Sequence, residues 1–499
     1  MVNWKNKIHF FPPQGKGAVF FLIILLLPAK FWAQQNFKEW ADQEEQQFKQ
    51  FLEKRDQEFI EFLKKEWQEF SLTQGIVPDQ IPKPGEIPRK NFEEIDIDPR
   101  YQKSKVKDFE IKSPPEKGGL GFIKRPILKF QYGKRADFVY LNTPCNIMYD
   151  LILEEIDFPD TFNNRDISKF WGQMSKTQYT YLLEQCKDLK QNMRLNDWAF
   201  YKFLSKFSQH IFPQDNNIRE LFTWFLMQKD GYDVKVGYIH NQIFLLISSQ
   251  NVLYNHPFIQ SHQRRYYTLA DMYASNREKK IITYEGSYPE AQAMLNLNIY
   301  YCPVVNPNII EKTLKFNYLH TDYSLSLNIN KSIVDFYSEY PLTEYVIYFN
   351  APISPECNYS LLNNLKPLIL GKSKIEAVNL ILHFVQKSFK YTSDYEQFGD
   401  EKPLFIEETL YYPGSDCEDR AVLFAYLIRN LLNLEVIGLD YPGHIATAVK
   451  IGADMPGKKI YYSGNDYIVC DPTYINANMG QCLPKYLEID PEIIPLYHN

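Results

Sequence analysis

The chain has 499 residues, 45% of them hydrophobic, with 55 basic against 61 acidic side chains and a net charge of −6. That length exceeds what one core absorbs and predicts about three domains. The slightly acidic balance supplies no basic field for nucleic acid, so no nucleic-acid partner is expected.

Lys5, Lys7 and Lys16 precede an apolar stretch from Ala18 to Leu27, followed by Pro28 and by Phe31-Trp-Ala33 before Gln34. Residues 1–33 thus read as a signal peptide, since an apolar core of about ten residues is short for a span of about twenty. Cleavage gives a periplasmic or secreted protein; retention gives an N-terminal membrane tether. Residues 34–72 follow as a charged amphipathic helix. From Phe37 to Phe70 there is no Gly or Pro, and Phe48, Leu52, Phe59, Phe62, Leu63, Trp67 and Phe70 recur at mostly helical steps. Such a stripe packs on the protein's own body or self-associates. Pro78, Pro82, Pro84, Pro88 and Pro99 then predict a stiff, extended linker over 73–117 that acts as a spacer.

Phe130–Tyr132 and Asp137–Leu141 predict a β segment within 118–145. Over 276–355, the runs Thr313–Tyr318, Tyr323–Asn328 and Tyr345–Phe349 alternate with turn residues and predict a β-rich connecting domain.

Chemistry concentrates in 356–499, where Gly414-Ser-Asp-Cys-Glu-Asp-Arg420, Pro442-Gly-His-Ile-Ala446 and Cys470-Asp-Pro-Thr-Tyr474 supply a cysteine, a histidine and an aspartate in turn. The apolar run Ala421–Ile428 predicts a buried helix capped by Ser415 or Asp416, with Cys417 in its first turn. A helix N-terminus favours thiolate over thiol, which predicts an activated Cys417. Leu434–Leu439, Ile445–Val449 and Tyr467–Cys470 predict strands, with His444 and Asp471 at equal steps along the chain (444 − 417 = 27 and 471 − 444 = 27). In that arrangement His444 takes the thiol proton and later protonates the leaving amine, while Asp471 fixes the His444 tautomer. The Cys417 backbone N–H is expected to face the oxyanion.

On these motifs roughly the last 130 residues resemble the transglutaminase-like superfamily of cysteine enzymes. The resemblance lies in Cys417 with Asp419 two residues on, the apolar helix, His444 opening a strand, and Asp471-Pro-Thr after another strand. It departs at Ala446 and at Asp466-Tyr467, where many members carry Trp. The resemblance implies an α+β, papain-like core and attack on amide or peptide carbonyls of a protein or peptide substrate. Either hydrolysis or transfer to an amine completes that reaction. The alternative is a non-catalytic envelope scaffold that holds peptides with the same fold.

Residues 146–275 read as a degenerate second copy. Leu221–Met227 matches Leu423–Arg429 at an offset of 202 (423 − 221), and Gly237 falls against Gly438. Asp215, Gln242 and Asp271 stand against Cys417, His444 and Asp471. The three are expected to lie close together, without the nucleophile or the base. The nine histidines and seven cysteines make no His-x-x-x-His or Cys-x-x-Cys cluster, and no acidic loop has Ca²⁺ spacing, so neither metal nor cofactor is expected. With Cys417 free, the other six cysteines are expected to form at most two bridges.

Overall fold

The computed structural model describes residues 29–78, 82, 87–94, 96–102, 104–114, 133–269, 280–452 and 455–496. The apolar segment Ala18–Leu27, the run Phe130–Tyr132 and Asp271 lie outside them. Among the described residues no helix is long and apolar enough to cross a membrane. Two compact units divide the chain, one ending at Arg55 and the other running from Asp56 to Asn499.

The helix Ala29–Leu63 begins in the first unit, where Trp40, Phe48 and Phe51 are exposed and the Arg55 guanidinium lies over the Phe51 ring. In the second unit its last turns bury Phe59, Ile60 and Leu63, so this end of the stripe packs at home. Asp56 there is buried, accepts from Trp171 Nε1 at 3.0 Å and pairs with Lys229. The helix stops earlier than its aromatic spacing suggested. Trp67–Ser71 is instead a strand paired antiparallel with Lys280–Tyr284, and Trp67 packs on the rings of Tyr238 and Tyr284. Pairing at a sheet edge overrides a helical period.

The second unit is α+β, built on antiparallel sheets with helices packed against them. Helices Asn164–Met174, Tyr179–Asn192, Asp197–Ile211 and Asn216–Lys229 precede five of the strands of a six-stranded sheet. Its order is Trp67–Ser71, Lys280–Tyr284, Val234–Ile239, Gln242–Ser248, Arg264–Thr268 and Phe258–Ser261. A hairpin of Gly133–Tyr140 and Thr143–Asp150 turns through Leu141 and Asn142, both at positive φ. A second hairpin, Ile309–Tyr318 with Thr321–Asn330, packs on the helices Pro355–Ile369 and Lys374–Ser388. Tyr345–Phe349, expected to be a strand, lies in the helix Tyr345–Asn350 that buries Ile347, Tyr348 and Phe349. A five-residue apolar run carries no period that separates the two states.

The proline-rich segment is not a spacer. Lys90 N–H donates to the Ile475 carbonyl and Ile475 N–H to that of Pro88 (2.9 and 3.0 Å), while Val106 N–H reaches the Lys372 carbonyl. Asp108 pairs with Lys366. Proline favours extended backbone, and extended backbone can pair with whatever edge it meets.

The C-terminal sheet has the order Glu492–Ile494, Val436–Tyr441, His444–Val449, Asn465–Cys470 and Lys459–Tyr462. The last five strands of the six-stranded sheet follow the same order. Val234–Ile239 and Gln242–Ser248 pair in the register of Val436–Tyr441 and His444–Val449 at an offset of 202 (444 − 242), and the outer pairings agree to within one residue. Each sheet carries one apolar helix against its central hairpin, Asn216–Lys229 and Cys417–Leu432 respectively. The repeat read from the sequence is therefore present as topology. At the same offset Asp215 stands against Cys417, as read from the sequence, but it is the N-cap of its helix whereas Cys417 is the first helical residue, so by helix position the counterpart is Asn216.

Candidate active site

Cys417 opens the helix Cys417–Leu432, and the next helical positions explain its placement. The Asp416 N–H donates to Asp419 Oδ2 at 3.2 Å, which closes the first turn. The wholly buried Arg420 donates to Ser415 Oγ and to the carbonyls of Gln386 and Phe389. A short parallel pairing of Lys390–Tyr391 with Gly414–Ser415 brings the preceding loop alongside. Gly414 permits it, since a Cβ there would lie 2.6 Å from Thr392 Cβ.

His444 is the first residue of its strand and Asp471 follows the neighbouring one. His444 Nε2 lies 2.9 Å from Asp471 Oδ2. Asp471 Oδ1 accepts from the N–H groups of Thr473 and Tyr474 at 2.9 and 3.1 Å, so one carboxyl group is held by two backbone donors and orients the imidazole. Gln386 secures the same turn, donating to the carbonyls of Asp471 and Ala477 and accepting from Asn476 N–H. The His444 ring stacks parallel on Tyr486 (centroids 5.3 Å, planes 2° apart), and Tyr486 Oη donates to the Pro442 carbonyl. This arrangement leaves Nδ1 as the His444 ring nitrogen not engaged by Asp471.

The fold thus gathers the three residues named from the sequence. The backbone N–H of Ile445, next to His444, acts to lower the Cys417 thiol's pKa, and all three side chains are buried. The expected thiolate is corrected. Burial pushes the Cys417 thiol well above its usual range, and the carboxyl groups of Glu418 and Asp416 push it further. The thiol donates to Glu418 Oε2 at 3.1 Å and makes no hydrogen bond to His444. A helix terminus carries about half a charge, too little to offset desolvation beside two carboxyl groups.

Sequence reading missed those carboxyl groups. Asp394, Asp416, Glu418 and Asp419 are buried around the start of the Cys417 helix, with Glu401 part-buried beside them. Burial and then Asp419 raise Asp394 to about 11, and burial raises Asp419 itself to about 6. Asp416 and Glu418 are held well above the carboxylate range, first by burial and then by neighbouring acids, Asp419 and Asp416 respectively. Oxygens of Asp394, Asp416 and Asp419 come within 4.8 Å of one another, as do those of Asp394, Glu401 and Glu418. Among the described residues these are the groupings able to hold a metal ion. Asp394 and Asp416 are far apart in the chain, so no spacing motif marks the cluster.

A cavity of about 530 Å³ lies beyond the Asp471 turn, lined by Lys90, Lys458, Tyr474, Gln481, Cys482 and Leu487 among others. Another, of about 260 Å³, sits near the far end of the helix at Tyr426 and Arg429, away from Cys417. All seven cysteines are free thiols. In the sibling sheet Gln242 and Asn216 are exposed, and Asp215 caps its helix through a bond from Ile218 N–H.

Comparison with family models, curated proteins and solved structures found no match to this chain.

Proposed function

We propose that residues 356–499 form a papain-like, transglutaminase-like thiol enzyme that attacks amide or peptide carbonyls, with Cys417 as nucleophile, His444 as base and Asp471 as orienter. The observation that carries this reading is the His444–Asp471 pair at 2.9 Å, with Cys417 opening a buried helix and the backbone N–H next to His444 acting on its thiol. Those are the parts an acyl-transfer site needs: a nucleophile, a base within reach, and a third group fixing the base. Hydrolysis and transfer to an amine differ in how water is excluded, and both begin with the same thioester. The substrate is a protein or peptide. The N-terminal segment supports an exported, periplasmic or secreted location, with a membrane tether if it is retained.

The burial of Cys417 and its bond to Glu418 favour a second reading, a peptide-holding scaffold without chemistry. Mass spectrometry separates the two. Wild-type protein incubated with glutaminyl peptides and peptide esters, with glycine ethyl ester as amine, should carry a hydroxylamine-labile acyl group on Cys417. No adduct on wild type, with full biological function in Cys417→Ala, would leave the scaffold.

A further inference from the structure

The start of the Cys417 helix carries more buried acid than its cations can answer. Lys402 Nζ is taken by Glu408 at 2.6 Å, and Arg420 is spent on Ser415 Oγ and two backbone carbonyls. Backbone donors satisfy part of the set: Lys402 N–H reaches Asp394 Oδ2, Leu404 N–H reaches Asp419 Oδ1, and Asp394 N–H reaches Asp416 Oδ2. Two oxygens are left over. Asp416 Oδ1 and Glu418 Oε1 are buried without a hydrogen-bond partner, on side chains 2% and 1% exposed. A buried polar atom without a partner costs about 1–3 kcal/mol, and more when charged. Two such atoms in one cluster point to a missing positive group.

We infer that this cluster is a binding site for a single divalent cation of the oxygen-liganded class, held by oxygens drawn from two carboxylate triads that share Asp394, one with Asp416 and Asp419 and the other with Glu401 and Glu418. The donor set is all carboxylate oxygen, which excludes the softer metals that seek sulfur and imidazole. Carboxylate oxygens within 4.8 Å of one another can share one such cation, and the choice between Ca²⁺ and Mg²⁺ is left to the titration. Such a cation would engage Glu418, the group that now receives the Cys417 thiol, and so would free that thiol to turn toward His444. This consequence rests on the catalytic reading; the binding does not.

The test is calorimetric titration of CaCl₂ into the chelator-treated full chain, with MgCl₂ as competitor. One divalent cation per chain is expected, together with a raised melting temperature. Asp416→Asn and Glu418→Gln should each weaken binding at least tenfold, while Asp137→Asn, an exposed carboxylate elsewhere, should not change it. The amides keep the shape of the acids and remove charge, and circular dichroism checks that they fold. Wild type that binds neither cation, or binding that survives the Asp416→Asn/Glu418→Gln double variant, would overturn the site and leave carboxyl groups that share protons. Calcium binding by a protein that forms no acyl adduct would uphold the site and defeat the enzyme reading, so the two can fail separately.

Discussion

The two sheets at the middle and the end of this chain share strand order, register and a central apolar helix, yet the same two positions are treated in opposite ways. In the C-terminal sheet the helix-opening residue and the strand-opening residue are Cys417 and His444, both buried. In the middle sheet they are Asn216 and Gln242, both exposed. In the middle sheet Ile243 N–H ties the strand start to the helix start by donating to Asn217 Oδ1 at 2.9 Å, and in the C-terminal sheet the equivalent Ile445 N–H acts on the Cys417 thiol. The scaffold is therefore indifferent to the chemistry. What distinguishes the C-terminal copy is its cover: the carboxylate-rich segment before Cys417, Tyr486 on the imidazole, and the strap at Ile475.

The largest effects should fall on the C-terminal side of the comparison. Cys417→Ala should abolish acyl-adduct formation with its melting curve near that of wild type. Asp471→Asn should slow turnover by about ten- to a hundredfold, because the imidazole loses its orienter while the nucleophile stays. Steady-state kinetics of the purified variants checks both, and an Asp471→Asn enzyme as active as wild type would remove the orienter from the account.

A smaller, stability-level effect separates the sheets by pH. Burial, and then Glu492, raise the Asp440 carboxyl to about 7. The folded state therefore keeps a proton that the unfolded chain loses near pH 4, so this group's contribution to stability is full below that pH and is lost as pH rises through 7. Asp440→Asn should flatten that decline, measured as the difference in unfolding midpoint between variant and wild type from pH 4 to 8. An unchanged difference across the range would mean that Asp440 does not hold its proton. The smallest effect is expected for the graft Asn216→Cys/Gln242→His. Both positions are exposed, so stability should move by no more than about 0.5 kcal/mol, and no acyl adduct should form at position 216. Adduct formation there would show that cover is not what separates the copies.

The contrast also marks what the residues alone disclosed. Cys417, His444 and Asp471 were legible because each sits beside a local signal: a capped apolar run, a Pro-Gly turn before a strand, an Asp-Pro after one. The three C-terminal strands were legible for the same reason, and so was the repeat. The carboxylate cluster was not, because Asp394 and Asp416 meet only through the pairing of Tyr391 with Ser415. Gln386 and Tyr486 act on the site from a helix and a turn distant in sequence, and neither residue type announces such a role. The proline-rich strap misled for a related reason. Composition sets its extended backbone, and only the tertiary fold supplies the Ile475 edge it pairs with.

The central claim is that His444 acts on Cys417. The rate of Cys417 alkylation by iodoacetamide at neutral pH and saturating calcium, followed by peptide mass spectrometry in wild type and His444→Ala, tests it most directly. The account predicts that loss of the base slows alkylation by about a hundredfold, the lower end of what a positioned base contributes, in a protein that remains folded. Equal rates in the two proteins would contradict it.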